Sequence, residues 1–127
     1  MRRVAPFATL LALAGCQTAE LKQTDGQTAA LPTMERIALG ARECWFRSGD
    51  PAFKSYRMAP ELNSFSGKPR ILLVPAKNPN GLPLAVIEAS GEPARLNAFG
   101  PLMAEPLGTR IADDARRWAT GHTGCSA

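Results

Sequence analysis

Apolar residues recur with two different periods along residues 32–127, and the two periods predict two kinds of secondary structure. Near each end of this region, apolar residues recur every three or four positions, which is typical of an amphipathic helix. Between the two ends, short apolar runs are separated by glycine, proline and asparagine, which is typical of strands and turns. The pattern therefore predicts a small single domain of the α+β class, with a helix, then strands, then a second helix.

The two helices are predicted over residues 32–47 and 109–120. Pro32 fits the first turn of the first helix, and Thr109 can cap the second helix. Gly40 interrupts the first helical pattern, so it marks either a weak point of the helix or a close approach by another element. Each apolar stripe includes one tryptophan that we expect in or beside the core, namely Trp45 and Trp118.

The region between the helices predicts a three- or four-stranded antiparallel meander. Its candidate strands are residues 56–65, 71–74, 82–89 and 94–99. Asn80-Gly81 is a frequent hairpin turn, and the prolines on either side of it predict a loop longer than two residues. Pro60 predicts that the first strand is an edge strand or is broken, because proline lacks the N–H group that a central strand donates.

The first sixteen residues carry the most specific motif in the chain. Two arginines precede an apolar run of about ten residues, which fits the roughly 7–15 residues of a secretory signal core and is too short to span a bilayer. Leu13-Ala14-Gly15-Cys16 follows and resembles the lipobox of bacterial lipoproteins. The resemblance implies cleavage between Gly15 and Cys16, followed by lipidation of Cys16. The alternative is an ordinary secretory signal that is cleaved elsewhere and contains a cysteine by chance.

The lipoprotein resemblance also implies a location and a domain division. Gln17 stands where an aspartate tends to retain Gram-negative lipoproteins in the inner membrane, so the resemblance points to the periplasmic face of the outer membrane. Residues 1–15 would be the signal peptide, residues 16–31 the lipidated N-terminus and a flexible tether, and residues 32–127 the globular domain. Several acyl chains together hold a protein stably on a bilayer, because each buried CH₂ contributes ~0.8 kcal/mol.

Cleavage of the signal changes the size and the charge of the chain. The full chain has 127 residues and a formal net charge of +4, whereas residues 16–127 number 112 and carry +2. A chain of this length forms one domain. The small positive excess and the secreted location argue against a nucleic-acid partner.

Two cysteines remain once Cys16 is assigned to lipid. Cys44 and Cys125 are predicted to form a disulfide, because disulfides persist in an oxidising compartment. A bond between them would close a loop of about 80 residues, which the chain-entropy model values at roughly 4–5 kcal/mol. The alternative is a pair of free thiols, with one of them buried in a helix face.

The sequence offers few groups for catalysis or metal binding. His122 is the single histidine, and its place in a glycine-flanked tail predicts an exposed residue rather than a base or a ligand. Glu61, Glu88 and Glu92 are the carboxylates available in the central region, and we expect them to be solvated. No G-x-S-x-G, H-E-x-x-H, P-loop or C-x-x-C motif occurs in the sequence. We therefore expect no catalytic residue, no metal site and no cofactor.

Basic residues indicate a second kind of surface. They lie around the first helix, the turn after it and the start of a strand: Arg36, Arg42, Arg47, Lys54, Arg57, Lys68 and Arg70. Such residues can contact lipid phosphates or anionic envelope polymers. The interspersed Glu35 and Glu43 favour an ordinary surface of mixed charge instead.

Together these observations predict a lipid-anchored, periplasm-facing lipoprotein with a non-enzymatic binding, structural or assembly role. Its expected partners are the membrane, through the lipid on Cys16, and an envelope protein or peptidoglycan. One alternative is an inhibitor lipoprotein that acts on a secreted protease or lysozyme, with the loop 77–82 filling the cleft of its target. Another is an enzyme that uses carboxylates.

Overall fold

A computed structural model describes residues 28–63 and 67–126, so the lipobox, Cys16 and nearly all of the predicted tether lie outside the described residues. The elements follow in the order α1 (Ala30–Ala41), a π-helical segment (Arg42–Arg47), a 3-10 turn (Pro51–Phe53), β1 (Tyr56–Glu61), β2 (Arg70–Pro75), β3 (Ala85–Ser90), β4 (Arg95–Phe99), a second 3-10 turn (Pro101–Ala104) and α2 (Pro106–Ala119). This order confirms the predicted α+β class and the antiparallel meander, which has four strands.

The sheet has the strand order β1-β2-β3-β4, and all neighbouring strands are antiparallel. One row of paired residues crosses the inner face of the sheet, from β1 to β4. Its members, in strand order, are Pro60, Ile71, Ile87 and Ala98. β1 is an edge strand, which confirms the interpretation of its proline. The β2–β3 loop spans residues 76–84, which confirms that it is longer than two residues.

The core lies between the inner face of the sheet and the two helices. α1 packs against β2 and β3, and α2 packs against α1 and the second 3-10 turn. Trp45 and Trp118 are 0% and 1% exposed, which confirms the prediction that both lie in the core. Their rings are 5.2 Å apart, and Trp45 also stacks on Phe53 at 4.8 Å. These three rings therefore form the centre of the apolar cluster.

The first helix begins at Ala30, two residues before the predicted start at Pro32. The reason is a pair of backbone hydrogen bonds to the β3–β4 turn. The Ala30 N–H donates to the Gly91 carbonyl at 3.1 Å, and the Ala94 N–H donates to the Thr28 carbonyl at 2.7 Å. The end of the predicted tether, residues 28–31, therefore belongs to the folded domain.

The second helix begins at Pro106 rather than at the predicted Thr109. Proline suits the first helical turn, where its missing N–H leaves no intrahelical hydrogen bond unmade. No side chain caps this helix, and Thr109 lies inside the helix. The predicted capping role of Thr109 is therefore wrong.

A close contact explains the glycine in the first helix. A Cβ atom on Gly40 would overlap the indole of Trp118, with Cγ at 2.8 Å and Cδ2 and Cε2 nearer still. Gly40 therefore marks the close approach of another element, which was one of the two predicted interpretations, and not a weak point of the helix.

The predicted disulfide between Cys44 and Cys125 is present and spans 81 residues. It joins the π-helical segment after α1 to the tail that follows α2. The tail is held further by the Trp118 indole N–H, which donates to the Gly124 carbonyl at 3.0 Å. The disulfide and this hydrogen bond therefore hold the C-terminal tail against the segment that follows α1 and against α2.

Candidate functional site

His122 is exposed, as the sequence predicted. Its Nδ1 atom lies 3.2 Å from the Thr120 hydroxyl oxygen in the tail after α2. Within residues 28–63 and 67–126, no group of three or more histidine, cysteine, aspartate or glutamate side chains is arranged to hold a metal ion.

Two of the three candidate carboxylates of the central region, Glu61 and Glu88, lie on either side of a basic residue. The strand register places Glu61, Arg70 and Glu88 in one row on the outer face of the sheet. Glu61 accepts a hydrogen bond from Arg70 Nε at 2.6 Å, and Glu88 lies 3.9 Å from Lys68 Nζ. The Glu88 side chain is only 15% exposed because it lies on a central strand, so the expectation that it is solvated is wrong. Glu92 is exposed in the β3–β4 turn.

Several of the predicted basic residues take part in surface ion pairs. Glu43 pairs with Arg42 at 3.5 Å and with Arg47 at 3.0 Å, and all three side chains are substantially exposed. Pairs of this kind contribute little to stability. This part of the chain is therefore the ordinary mixed surface that the interspersed acids favoured.

One buried carboxylate was not singled out from the sequence. Asp114 is 2% exposed and accepts a hydrogen bond from the Trp45 indole N–H at 2.8 Å. Arg117 lies 3.2 Å from one of its oxygens, and Arg110 lies 3.6 Å from the other. In the sequence, Asp114 resembles a charge that complements a helix dipole, and only the fold reveals its partner Trp45. The hydrogen bond from Trp45 to Asp114 therefore links α2 to the core.

Arg110 also reaches the loop after the π-helical segment. Its guanidinium lies 2.6 Å from Asp50 and 5.1 Å from the ring centre of Phe53. The hydrogen bond from Arg110 lowers the pKa of Asp50 below its ordinary value, and the Ala52 N–H, which donates to the same carboxylate at 3.0 Å, lowers this pKa further. Asp50 is therefore a fixed anion that helps to position Arg110.

A concavity with apolar walls and two arginines lies where α1, the end of α2 and the β3–β4 turn meet. Its volume is about 800 Å³, within the range of ~300–1,000 Å³ that is typical of small-molecule sites. Its apolar walls are formed by Pro93, Ala94, Leu96 and Ala119. We call this concavity the α1–α2 cleft.

Two arginines line the α1–α2 cleft. The Arg36 guanidinium is half-buried and donates to the Ala119 carbonyl at 2.8 Å and to the Thr33 hydroxyl at 3.3 Å. Arg116 lies at the other side, and its side chain is 71% exposed and 3.2 Å from Asp113. None of the described residues that line the cleft is acidic. The cleft is therefore lined by two arginines, of which Arg36 is held by Ala119 and Thr33 and Arg116 is paired with Asp113.

The spacing of the two arginines explains why the sequence did not reveal this cleft. Arg36 is one of several basic residues around the first predicted helix, whereas Arg116 lies in the second predicted helix. Eighty positions separate them, and no motif connects them.

The β2–β3 loop presents one apolar side chain to solvent. Leu82 is 86% exposed, the largest value among the exposed large hydrophobic residues described. The loop around it is held by backbone hydrogen bonds: the Ala76 N–H donates to the Ser55 carbonyl at 2.8 Å, and the Gly81 N–H donates to the Asn78 carbonyl at 2.9 Å. The exposed Leu82 side chain therefore lies on a loop that backbone hydrogen bonds hold in place.

These features define a class: a small α+β domain closed by one disulfide, with a cleft that has apolar walls and two arginines among its lining residues. No protein-family model, curated protein or solved structure matches the chain. None of the helices in residues 28–63 and 67–126 has the length and apolar character needed to cross a membrane.

Proposed function

We propose that this protein is a lipid-anchored, non-enzymatic binding domain of the bacterial cell envelope. Cys16 is the acylated residue, and the domain faces the periplasm from the outer membrane. In this proposal the tether holds a ligand-binding domain close to the bilayer, and the partner is another component of the envelope.

The proposal is supported by the short stretch of sequence between the lipobox cysteine and the first described residue of the α1–α2 cleft. Thr28 lines the cleft and lies twelve residues after Cys16. A flexible chain of that length has an end-to-end distance of roughly 20 Å. A cavity of ligand size would therefore stay close to the membrane surface, where envelope components are concentrated.

Two measurements test the proposal. Intact-mass analysis of the protein from its native membrane should show an N-terminus at Cys16 that carries fatty acyl chains, and the Cys16→Ser variant should lack them. A photoreactive amino acid at position 120, on the cleft, should crosslink to an envelope component in cells. The matched control is the same amino acid at position 95, on the outer face of β4.

Either of two results would contradict this function. The first is a mature N-terminus without fatty acids, which would remove the anchor. The second is an equal yield of crosslinks from positions 120 and 95, which would remove the cleft as the binding site.

A second candidate function is inhibition of a secreted hydrolase, and the exposed Leu82 favours it. A side chain on a loop that is already ordered loses little entropy when it enters the cleft of a partner. Leu82→Asp should abolish inhibition of the target protease or lysozyme. Leu39→Asp is the matched control, because Leu39 is 54% exposed on α1 rather than on this loop. Unchanged activity across a panel of secreted hydrolases would remove this candidate.

A further inference from the structure

We propose that two copies of this protein pair through β4, so that their two four-stranded sheets join into one continuous antiparallel sheet. This inference goes beyond the proposed function and does not depend on the lipid anchor, because the residues that carry it all lie in the described domain.

The outer edge of β4 carries backbone groups that point away from β3. The Ala89 N–H donates toward β2 at 3.1 Å, so the neighbouring Glu88 points its backbone groups toward β4, where it pairs with Asn97. Backbone direction alternates along a strand, so Leu96 and Ala98 direct their N–H and C=O groups away from β3. Outward groups of this kind are a template for another strand.

The opposite edge of the sheet is less suited to pairing. The Ala76 N–H donates to the Ser55 carbonyl at 2.8 Å, so alternate residues from Tyr56 to Pro60 are the outward ones of β1. Pro60 has no N–H to donate, and it interrupts this edge as a template. Pairing through β4 alone closes after two copies, which gives the two-fold symmetry that is commonest among oligomers.

A hydrogen bond that already exists fixes the register of the pair. The Ala94 N–H also points outward, but it donates to the Thr28 carbonyl at 2.7 Å and is therefore occupied. The two-fold pairing that uses Leu96 and Ala98 without Ala94 has its axis at Asn97. Leu96 of each copy then exchanges hydrogen bonds with Ala98 of the other copy, and the two Asn97 residues face each other.

This register brings complementary side chains together on the outer face. Arg95 of each copy faces Phe99 of the other copy, and both side chains are exposed, Phe99 by 45%. None of the ion pairs among residues 28–63 and 67–126 involves Arg95. A guanidinium is attracted to the negative face of an aromatic ring, and the two Asn97 amides can hydrogen-bond to each other. This electrostatic complementarity selects a second copy as the partner.

The pairing would also change the α1–α2 cleft. Leu96 lines the cleft, and both Leu96 and Ala98 pack on the inner face of the sheet. The axis that relates two antiparallel strands is perpendicular to the sheet, so the helices of both copies lie on the same side. Ala98 of the second copy would therefore lie beside Leu96 and contribute to the wall of the cleft.

Cysteine crosslinking in the producing cells tests the pairing. A contact of one strand from each copy is small and weak in dilute solution, so the dimer is trapped covalently. In the proposed register the Cα atoms of the two residues 97 are ~4.5 Å apart, within the ~4.4–6.8 Å that a disulfide spans. Asn97→Cys should therefore give about tenfold more disulfide-linked dimer on a non-reducing gel than the wild type. Arg57→Cys is the matched control, because Arg57 is exposed on the outer face of β1, and it should stay at the wild-type level.

A second pair of variants tests the register. Arg95→Cys and Phe99→Cys, produced together in copies with different tags, should form a mixed dimer. Either variant alone should not, because the two residues 95 would lie about 13 Å apart along the strands, too far for a disulfide. Circular dichroism of each purified variant checks that these exposed substitutions leave the fold intact.

Three outcomes would overturn the inference. The first is a yield of dimer from Asn97→Cys no higher than from Arg57→Cys. The second is a yield of mixed dimer no higher than from the single variants, which would remove the contact between Arg95 and Phe99. The third is a disulfide from position 97 to a different protein, which would give the β4 edge another partner. A crosslink to a second copy is recognised by its mass and does not count as capture of another envelope component. If acylation and cleft crosslinks are found without these dimers, this inference alone fails and the proposed function stands.

Discussion

The contact between Gly40 and Trp118 sets how closely α1 and α2 approach, so Gly40→Ala should destabilise the domain. A Cβ atom on residue 40 would lie 2.8 Å from Cγ of the indole and overlap two further ring atoms. Carbon atoms in ordinary contact are ~3.5–4.0 Å apart. The ring would therefore have to retreat by about 1 Å or more.

The surroundings of Trp118 leave little room for this movement. The side chain is 1% exposed, its ring centre is 5.2 Å from that of Trp45, and its N–H is bonded to Gly124. Overpacking a core costs about 1–3 kcal/mol, and these contacts place the cost near the upper end. Alanine recovers about 1 kcal/mol of helix propensity relative to glycine. The net loss should be about 2 kcal/mol, which corresponds to a fall in Tm of about 8–16 °C for a domain of this size.

The assay is thermal and urea unfolding of the disulfide-bonded protein, followed by circular dichroism. The pair Glu35→Ala and Glu35→Gly calibrates the difference in propensity at an exposed position of the same helix. After subtraction of that difference, Gly40→Ala should still lose about 3 kcal/mol. A Tm equal to or above that of the wild type would refute the claim that the indole requires glycine at this position.

Three further predictions concern the disulfide and two aspartates that pair with arginine. Cys125→Ser should lower the free energy of unfolding by up to about 4–5 kcal/mol in a denaturant titration, and an unreduced wild-type protein should show no thiol at Cys44 or Cys125. Asp114→Ala should cost about 2–3 kcal/mol, because it leaves the indole N–H of Trp45 buried without its acceptor; a loss well below 1 kcal/mol in urea would contradict this. Asp50 has a lowered pKa in the folded state, so its ionised form adds stability above the unfolded value of about 4. That stability is lost as the pH falls through the folded pKa, and the difference in Tm between the wild type and Asp50→Asn should therefore shrink in acid.

The elements of the fold could be predicted because each has a local signal. The three- and four-residue spacing around Trp45 and Trp118 defines both helices and places both indoles inside. The proline in β1 indicates an edge strand, and the parity of the cysteines indicates the disulfide. Each of these arguments uses a short stretch of sequence or a count, and none requires knowledge of which elements touch.

The errors arise where a distant contact decides the outcome. α1 extends back to Ala30 because the β3–β4 turn offers hydrogen-bond partners to residues that look like a tether. Glu88 is largely buried because its strand is central in the sheet. The α1–α2 cleft depends on α1, α2 and a turn between them in the sequence, so its composition could not be read from any single segment.

The cleft and the packing of the helices depend on the same contact. Arg36 and Gly40 are one turn apart on α1 and therefore share a face, and Trp118 and Ala119 are adjacent on α2. The glycine lets the indole approach, and the same approach brings the Arg36 guanidinium to the Ala119 carbonyl at 2.8 Å. That carbonyl lies at the C-terminal end of a helix, where partial negative charge attracts a cation. One arginine thus stabilises the end of α2 and lines the cleft, so Gly40→Ala should displace the Arg36 guanidinium and change the shape of the cleft as well as destabilise the fold.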